Sequence, residues 1–235
     1  MKRNILVGSI ALLAGSLMAA DSDAKAEVQA AAQKLAGKSN YSWKTTVEGG
    51  RFRPGPTEGK TDKDGVAWLT MTQRDDSIEA VLKGGKGALK AQGTWKSLAE
   101  AAEDDGGGGF NAIRFIALWL QNYKTPAVEA EDLAGKIKDL KLADGVYAGD
   151  LTEDGAKQLL SFRRPGGGGP EASGAKGSVK FWLKDGLLSK YEVHVEGTVS
   201  FNGNDREVNR TTTTEIKEVG TTKITVPEEA AKKMS

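Results

Sequence analysis

The chain of 235 residues has no cysteine and a single histidine. Without a thiol, disulfides, thiolate catalysis and a cysteine-linked lipid anchor are excluded. One histidine is too few for a transition-metal site built from several His or Cys ligands. Any Ser-His-Asp or Cys-His pair would also have to use it. That residue, His194, alternates with Glu192 and Glu196, a pattern that predicts a solvated strand face. A surplus of one charge is missing as well. With 33 Lys+Arg against 32 Asp+Glu there is no basic footprint for nucleic acid. Past the first twenty residues, no apolar run approaches the ~20 residues that span a bilayer.

What is present begins with an export signal. Lys2 and Arg3 precede an apolar stretch from Ile5 to about Leu17, and Ala19-Ala20 supply small residues ahead of Asp21. This is the layout of a secretory signal peptide. The expected organisation is residues 1–20 as signal peptide and 21–235 as a single domain, periplasmic or secreted, with cleavage near Ala20 or alternatively after Ala26. Peripheral contact with the cell envelope is compatible with this; a membrane span is not expected.

The periods along the chain alternate between 3.6 and 2. Asp23 to Lys38 spaces Val28, Ala31, Ala32 and Leu35 as a helix, with Asp21, Ser22 or Asp23 as cap. Strands are expected around Tyr41–Val47, Val66–Met71, Ile78–Leu82 and Ala88–Gln92. Arg51–Gly59 is expected to be a loop. Thr94 can cap a helix through Trp95, Leu98 and Ala102. Asp104–Gly109 reads as a break, and Phe110–Tyr123 as a well-buried helix, being apolar on most sides. Pro126 can start another helix, through Val128, Leu133 and Ile137. Val146–Leu151 reads as a strand, and Thr152 caps a short helix ending at Leu160. Arg163–Gly177 reads as a Gly/Pro-rich loop. A hairpin turning at Asp185-Gly186 follows, then a β-prone run Arg206–Glu218, an edge segment Thr221–Val226 and a short helix after Pro227. The abundance of glycine, 30 residues, fits this many turns.

Several chemical motifs almost form. Gly59-Lys60-Thr61 resembles the end of a phosphate-binding loop, but the glycine needed five positions earlier is Pro54. Asp62-Lys63-Asp64-Gly65 looks like a calcium loop, but the closing carboxylate falls on Met71 and an expected acidic position is Lys60. The first has no apolar strand leading in and no helix leading out, so no phosphate site is expected there, and the second is expected to be a plain turn. No carboxylate stands out in an apolar surround that would mark a raised pKa. The chain is therefore expected not to be an enzyme, and no catalytic residue, metal ligand or cofactor is assigned.

The C-terminal third carries a family resemblance. Phe181-Trp182-Leu183-Lys184-Asp185-Gly186-Leu187-Leu188-Ser189-Lys190-Tyr191, then Thr214-Glu215-Ile216, then Ile224-Thr225-Val226-Pro227, together with Arg51-Phe52-Arg53-Pro54 after the first strand, resemble the outer-membrane lipoprotein carrier superfamily and its lipid-binding mycobacterial relatives. The resemblance implies an α+β fold: a curved antiparallel sheet, an open half-barrel, with helices packed on its concave face and an apolar cavity between. It implies a non-catalytic carrier or sensor for a lipid or acyl chain, the partner being an apolar small molecule or an acylated protein. The sheet faces here carry more Lys, Glu and Thr than such carriers, and the Gly-rich loops are a departure.

The ligand-facing positions expected on this basis are Trp43, Trp68, Phe115, Trp119, Trp182 and Tyr191. Core packing is the other use of these large aromatics. A one-residue register step would reverse any strand residue among them. Two other functions remain open: an envelope module that binds a protein or polysaccharide through strand edges and loops, and a secreted hydrolase using two carboxylates.

Overall fold

Period-2 alternation and turn residues build most of this molecule. In the computed structural model, residues 16–49, 56–73, 76–103, 111–161, 171–201 and 203–234 are described. Eleven strands form one antiparallel sheet: β1 (Asn40–Gly49), β2 (Thr57–Asp62), β3 (Val66–Gln73), β4 (Asp76–Lys83), β5 (Lys86–Ala91), β6 (Thr94–Ser97), β7 (Lys141–Ala143), β8 (Val146–Asp150), β9 (Glu171–Lys184), β10 (Leu187–Phe201) and β11 (Asn204–Lys217). Their order is β6-β5-β4-β3-β2-β1-β11-β10-β9-β8-β7. The two ends do not meet, so the sheet is an open, curved half-barrel. Pairing of β1 with β11 joins the N-terminal and C-terminal meanders.

Six helices complete the described chain: α1 (Ser16–Ala36), α2 (Leu98–Glu103), α3 (Ala112–Leu120), α4 (Pro126–Gly135), α5 (Glu153–Leu160) and α6 (Glu228–Lys233). None is long and apolar enough to cross a membrane. The first five pack on the concave face. Ala24, Val28, Ala32 and Leu35 of α1, and Ala127, Ala130, Leu133 and Ala134 of α4, join Trp43, Leu69, Leu89, Phe181 and Tyr191 of the sheet in one core. Their i, i+3, i+4 spacing aims one stripe of each helix at the strands. Small residues dominate both stripes, which lets α1 and α4 lie close over the large aromatics beneath them. The Tyr147 hydroxyl donates to Glu27 and ties α1 to β8.

The last helix lies elsewhere. Ala230 of α6 packs with Val66, Val81, Ala88 and Trp95 on the convex face, with Ile224, Val226, Met234 and Trp68 around them. A C-terminal strap thus covers an apolar patch on the outer face of the N-terminal meander.

Local chemistry explains the turns. Asp185 and Gly186 adopt φ of 53° and 71°, the conformation a two-residue hairpin of type I′ demands. The Asp62–Gly65 segment is a plain turn, with Asp62 Oδ1 accepting from the backbone N–H groups of Asp64 and Val66, both at 3.0 Å.

Several sequence expectations are corrected. Thr94–Ser97 is strand β6, not a helix start. The helix begins at Leu98, where Ser97 and Glu100 form a reciprocal cap: Glu100 N–H donates to Ser97 Oγ at 3.1 Å and Ser97 N–H to Glu100 Oε2 at 2.7 Å. Thr57–Gly59 belongs to β2, a polar strand whose pairing with β1 and β3 outweighs its poor β pattern. Residues 171–177 belong to β9 because β10 offers them a continuous ladder. Thr221–Val226 is not a strand but the irregular lead into α6. Ile137 lies beyond α4, in an isolated bridge to Leu151. Helix α1 starts at Ser16, upstream of the expected caps, since Leu17–Ala20 are good helix formers. Most of the expected signal peptide, residues 1–15, lies outside the described residues, as do Arg51–Gly55, Asp104–Phe110 and Phe162–Pro170.

Candidate functional site

The concave face gathers aromatic side chains under α3 and α4. Strand β1 alternates, so Tyr41 and Trp43 point to the same side; both are buried. Their rings are 5.7 Å apart, tilted by 50°. Trp43 stacks on Tyr123, just past the end of α3, with centroids 6.5 Å apart and planes 17° apart. Trp119 of α3 meets Tyr123 edge-on at 5.1 Å. These are favoured aromatic geometries. Phe181 and Tyr191 continue the layer on β9 and β10, 6.4 Å apart.

Glycine makes the layer possible at one point. Gly59 of β2 sits directly across from Trp43, and a Cβ there would lie 2.1 Å from Trp43 Cζ2. The indole lies flat over the glycine backbone, and no larger residue fits under it.

A polar network threads the aromatics. The Tyr191 hydroxyl donates to Glu129 Oε2 of α4 at 2.5 Å. Thr214, directly opposite Tyr191, is linked to Thr45 at 2.9 Å. The Tyr41 hydroxyl accepts from the Ala127 N–H in the first turn of α4 at 3.4 Å. Burial pushes the Glu129 carboxyl above its usual range; the Tyr191 bond opposes this and the nearby Asp132 charge adds to it. Tyr123 and Tyr191 are raised well above a normal phenol, first by burial and then by the Glu129 charge. The expectation that no carboxylate lies in an apolar surround is thereby corrected: α4 carries one, beside Pro126, Ala127 and Ala130 on its buried side.

Helix α3 meets this layer through Trp119 and Tyr123. Asn111 caps it, with Oδ1 accepting from Ile113 N–H at 3.0 Å and Arg114 N–H at 3.1 Å. Its sequence, AIRFIALWL, is apolar except for Arg114. Only Ala117 and Leu120 are buried; Ile113, Ile116, Leu118 and Trp119 are half-buried and Phe115 is 45% exposed. The expected well-buried helix is corrected accordingly. Nine residues lying on one side of the half-barrel cannot be covered all round.

Of the six positions expected to face a ligand, the structure brings three together: Trp43, Trp119 and Tyr191 belong to the concave layer. Phe115 is on the same helix as Trp119 but is 45% exposed. Trp68 and Trp182 lie on the other face. Trp68 packs under α6, and the Lys190 ammonium sits 4.5 Å above the Trp182 ring. Both alternate with buried concave residues, Leu69 and Phe181. His194 is also on the convex face, with Nδ1 3.2 Å from Thr211 Oγ1. Tyr41, Tyr123 and Glu129 were not singled out in the sequence. Tyr41 was legible from its two-residue spacing to Trp43, whereas Tyr123 and Glu129 join the site only through the packing of α3 and α4.

No protein-family model matches the chain, and no curated protein matches it in sequence. Solved structures similar to it include LprF from Mycobacterium bovis, at 13% identity and TM-score 0.46 over 89% of this chain and 98% of that one. Another is the Mycobacterium tuberculosis lipoprotein LppX, at 11% identity and TM-score 0.46 over 85% and 96%.

Proposed function

We propose that this is an exported, periplasmic or secreted, non-catalytic protein that binds a lipid or acyl chain between α3 and the aromatic layer of the concave face. The observation that carries the reading is α3: an almost wholly apolar helix, left partly uncovered, whose Trp119 meets Tyr123 where that ring stacks on Trp43. Apolar surface of that kind, rimmed by polar groups, marks binding sites. Each CH₂ of a chain lodged there would contribute about 0.8 kcal/mol on leaving water. Glu129 is given no catalytic role, because Asp132, the carboxylate whose charge bears on it, is held by Lys124 and Lys136. The edge strand β7 favours a second reading, an envelope interaction module: all three of its residues are exposed and Leu142 is 53% exposed.

Native mass spectrometry on mature protein from its own periplasm, followed by solvent extraction, tests the first reading. A co-purifying lipid or acylated peptide is expected, and its loss in Trp119→Glu would place it under α3. Clean protein that also fails to take up a fluorescent fatty acid would overturn the reading.

A further inference from the structure

Alternation along β11 places Val208, Arg210, Thr212, Thr214 and Ile216 on the concave side. Four of these five suit a face buried under helices, and Arg210 does not. Its guanidinium is largely buried, and that burial alone pulls its pKa below the usual arginine value. A guanidinium carries five N–H donors. Among the described residues, one is used: Nη2 donates to the Leu159 carbonyl, in the last turn of α5, at 2.8 Å. No described carboxylate forms an ion pair with it. The acidic residues near it in sequence and register, Glu207, Glu48 and Glu196, fall on the convex face by the same alternation, where Glu196 pairs with Lys176.

The described register partners of Arg210 are apolar or lack a side chain. Its register partner on β10 is Val195. Its partner on β1 is Gly49, which has no side chain to lie over the guanidinium. Leu159, Val199 and Val208 pack against the adjoining core. A buried cation needs a counter-charge. The α5 carbonyl end supplies only a partial one.

We infer that Arg210 anchors the oxyanion head of a single-chain amphiphile, a carboxylate or phosphate monoester, whose chain runs along the concave face. This deepens the apolar-ligand reading above and rests on it. An oxyanion would accept from the guanidinium N–H groups that no described residue takes up, in charge-assisted bonds, which are stronger than neutral ones.

The test is calorimetric titration of the mature chain with palmitate, hexadecyl phosphate and hexadecanol, each as monomer in solution. The two anions share a chain length with the alcohol, so their difference isolates the head. At least one anion is expected to bind tenfold or more tighter than hexadecanol, and Arg210→Gln should bring that anion down to the alcohol's level. Whichever anion is preferred identifies the head. Arg210→Lys, which keeps the charge and loses the fork, should fall between the two. Equal binding of all three probes to the wild type would overturn the anchor while leaving the apolar site standing. Binding of none would overturn the apolar-ligand reading itself and the anchor with it. If Arg210→Gln fails to fold, Arg210→Lys decides the matter: an unchanged anion preference in that variant would overturn the anchor.

Discussion

The two faces of the sheet are built from the same strands and teach different lessons. On the concave face one row runs Trp43, Gly59, Leu69, Ala80, Leu89 across five strands. The adjacent residue on each strand contributes to a convex row of opposite character: Lys190, Glu215, Lys44, Glu58, Thr70, Glu79, Lys90. Lys44 reaches Glu58 at 3.3 Å and Lys90 reaches Glu79 at 3.7 Å. The first row is apolar, buried and covered by helices. The second is a ladder of exposed ion pairs, each worth little alone. Only where α6 crosses it does the convex face become a core.

Mutations should separate the faces, beginning with the largest effect. Trp43→Ala is expected to cost ~3–5 kcal/mol in denaturant unfolding, the range for truncating a buried aromatic. Trp182→Ala, on the convex side, should cost well under half of that; equal costs would contradict the assignment of faces. Gly59→Ala should destabilise by roughly 1–3 kcal/mol, since the new methyl group meets the Trp43 ring and overpacks the layer. Near-UV circular dichroism would report the displaced indole. Ala230→Glu, which puts a carboxylate under α6, should cost on the order of 2 kcal/mol; no change would mean that the strap is not docked.

Glu129 provides a pH test of smaller size. A carboxyl raised by burial is more protonated folded than unfolded, so its stabilising contribution is complete below the ordinary glutamate pKa and is lost as pH rises through the raised value. Glu129→Gln, a neutral isostere of the protonated acid, should gain on the order of 1 kcal/mol relative to wild type between pH ~4 and 7. An unchanged difference across that window would show that burial does not raise the Glu129 carboxyl. Smallest of all, a double-mutant cycle on Lys44 and Glu58 should return a coupling of about 0.2–1 kcal/mol that salt removes.

The sequence made the fold more legible than the site. Alternation exposed Tyr41–Val47 and the hairpin Val179–Glu196, Asp185-Gly186 marked the hairpin's turn and Thr152 the start of α5, because those signals are local. Strand β2, Thr57–Asp62, was invisible: its residues are polar and its strand state comes from two neighbours. Ser97, not Thr94, caps α2 for a similar reason, since β6 gains its ladder from β5. Trp68 and Trp182 were counted with Trp43 because residue type does not reveal which face a strand shows. Arg210 and Glu129 stood out only once packing placed each charge among apolar neighbours.

The most direct test of the central claim uses the five tryptophans as reporters. A fatty acid with a doxyl quencher on its chain should quench the protein's fluorescence, and replacing Trp43 and Trp119 together with phenylalanine should remove most of that quenching. Replacing Trp68 and Trp182 should leave it. Quenching that follows the convex pair, or none at all at saturating probe, would contradict a ligand site on the concave face.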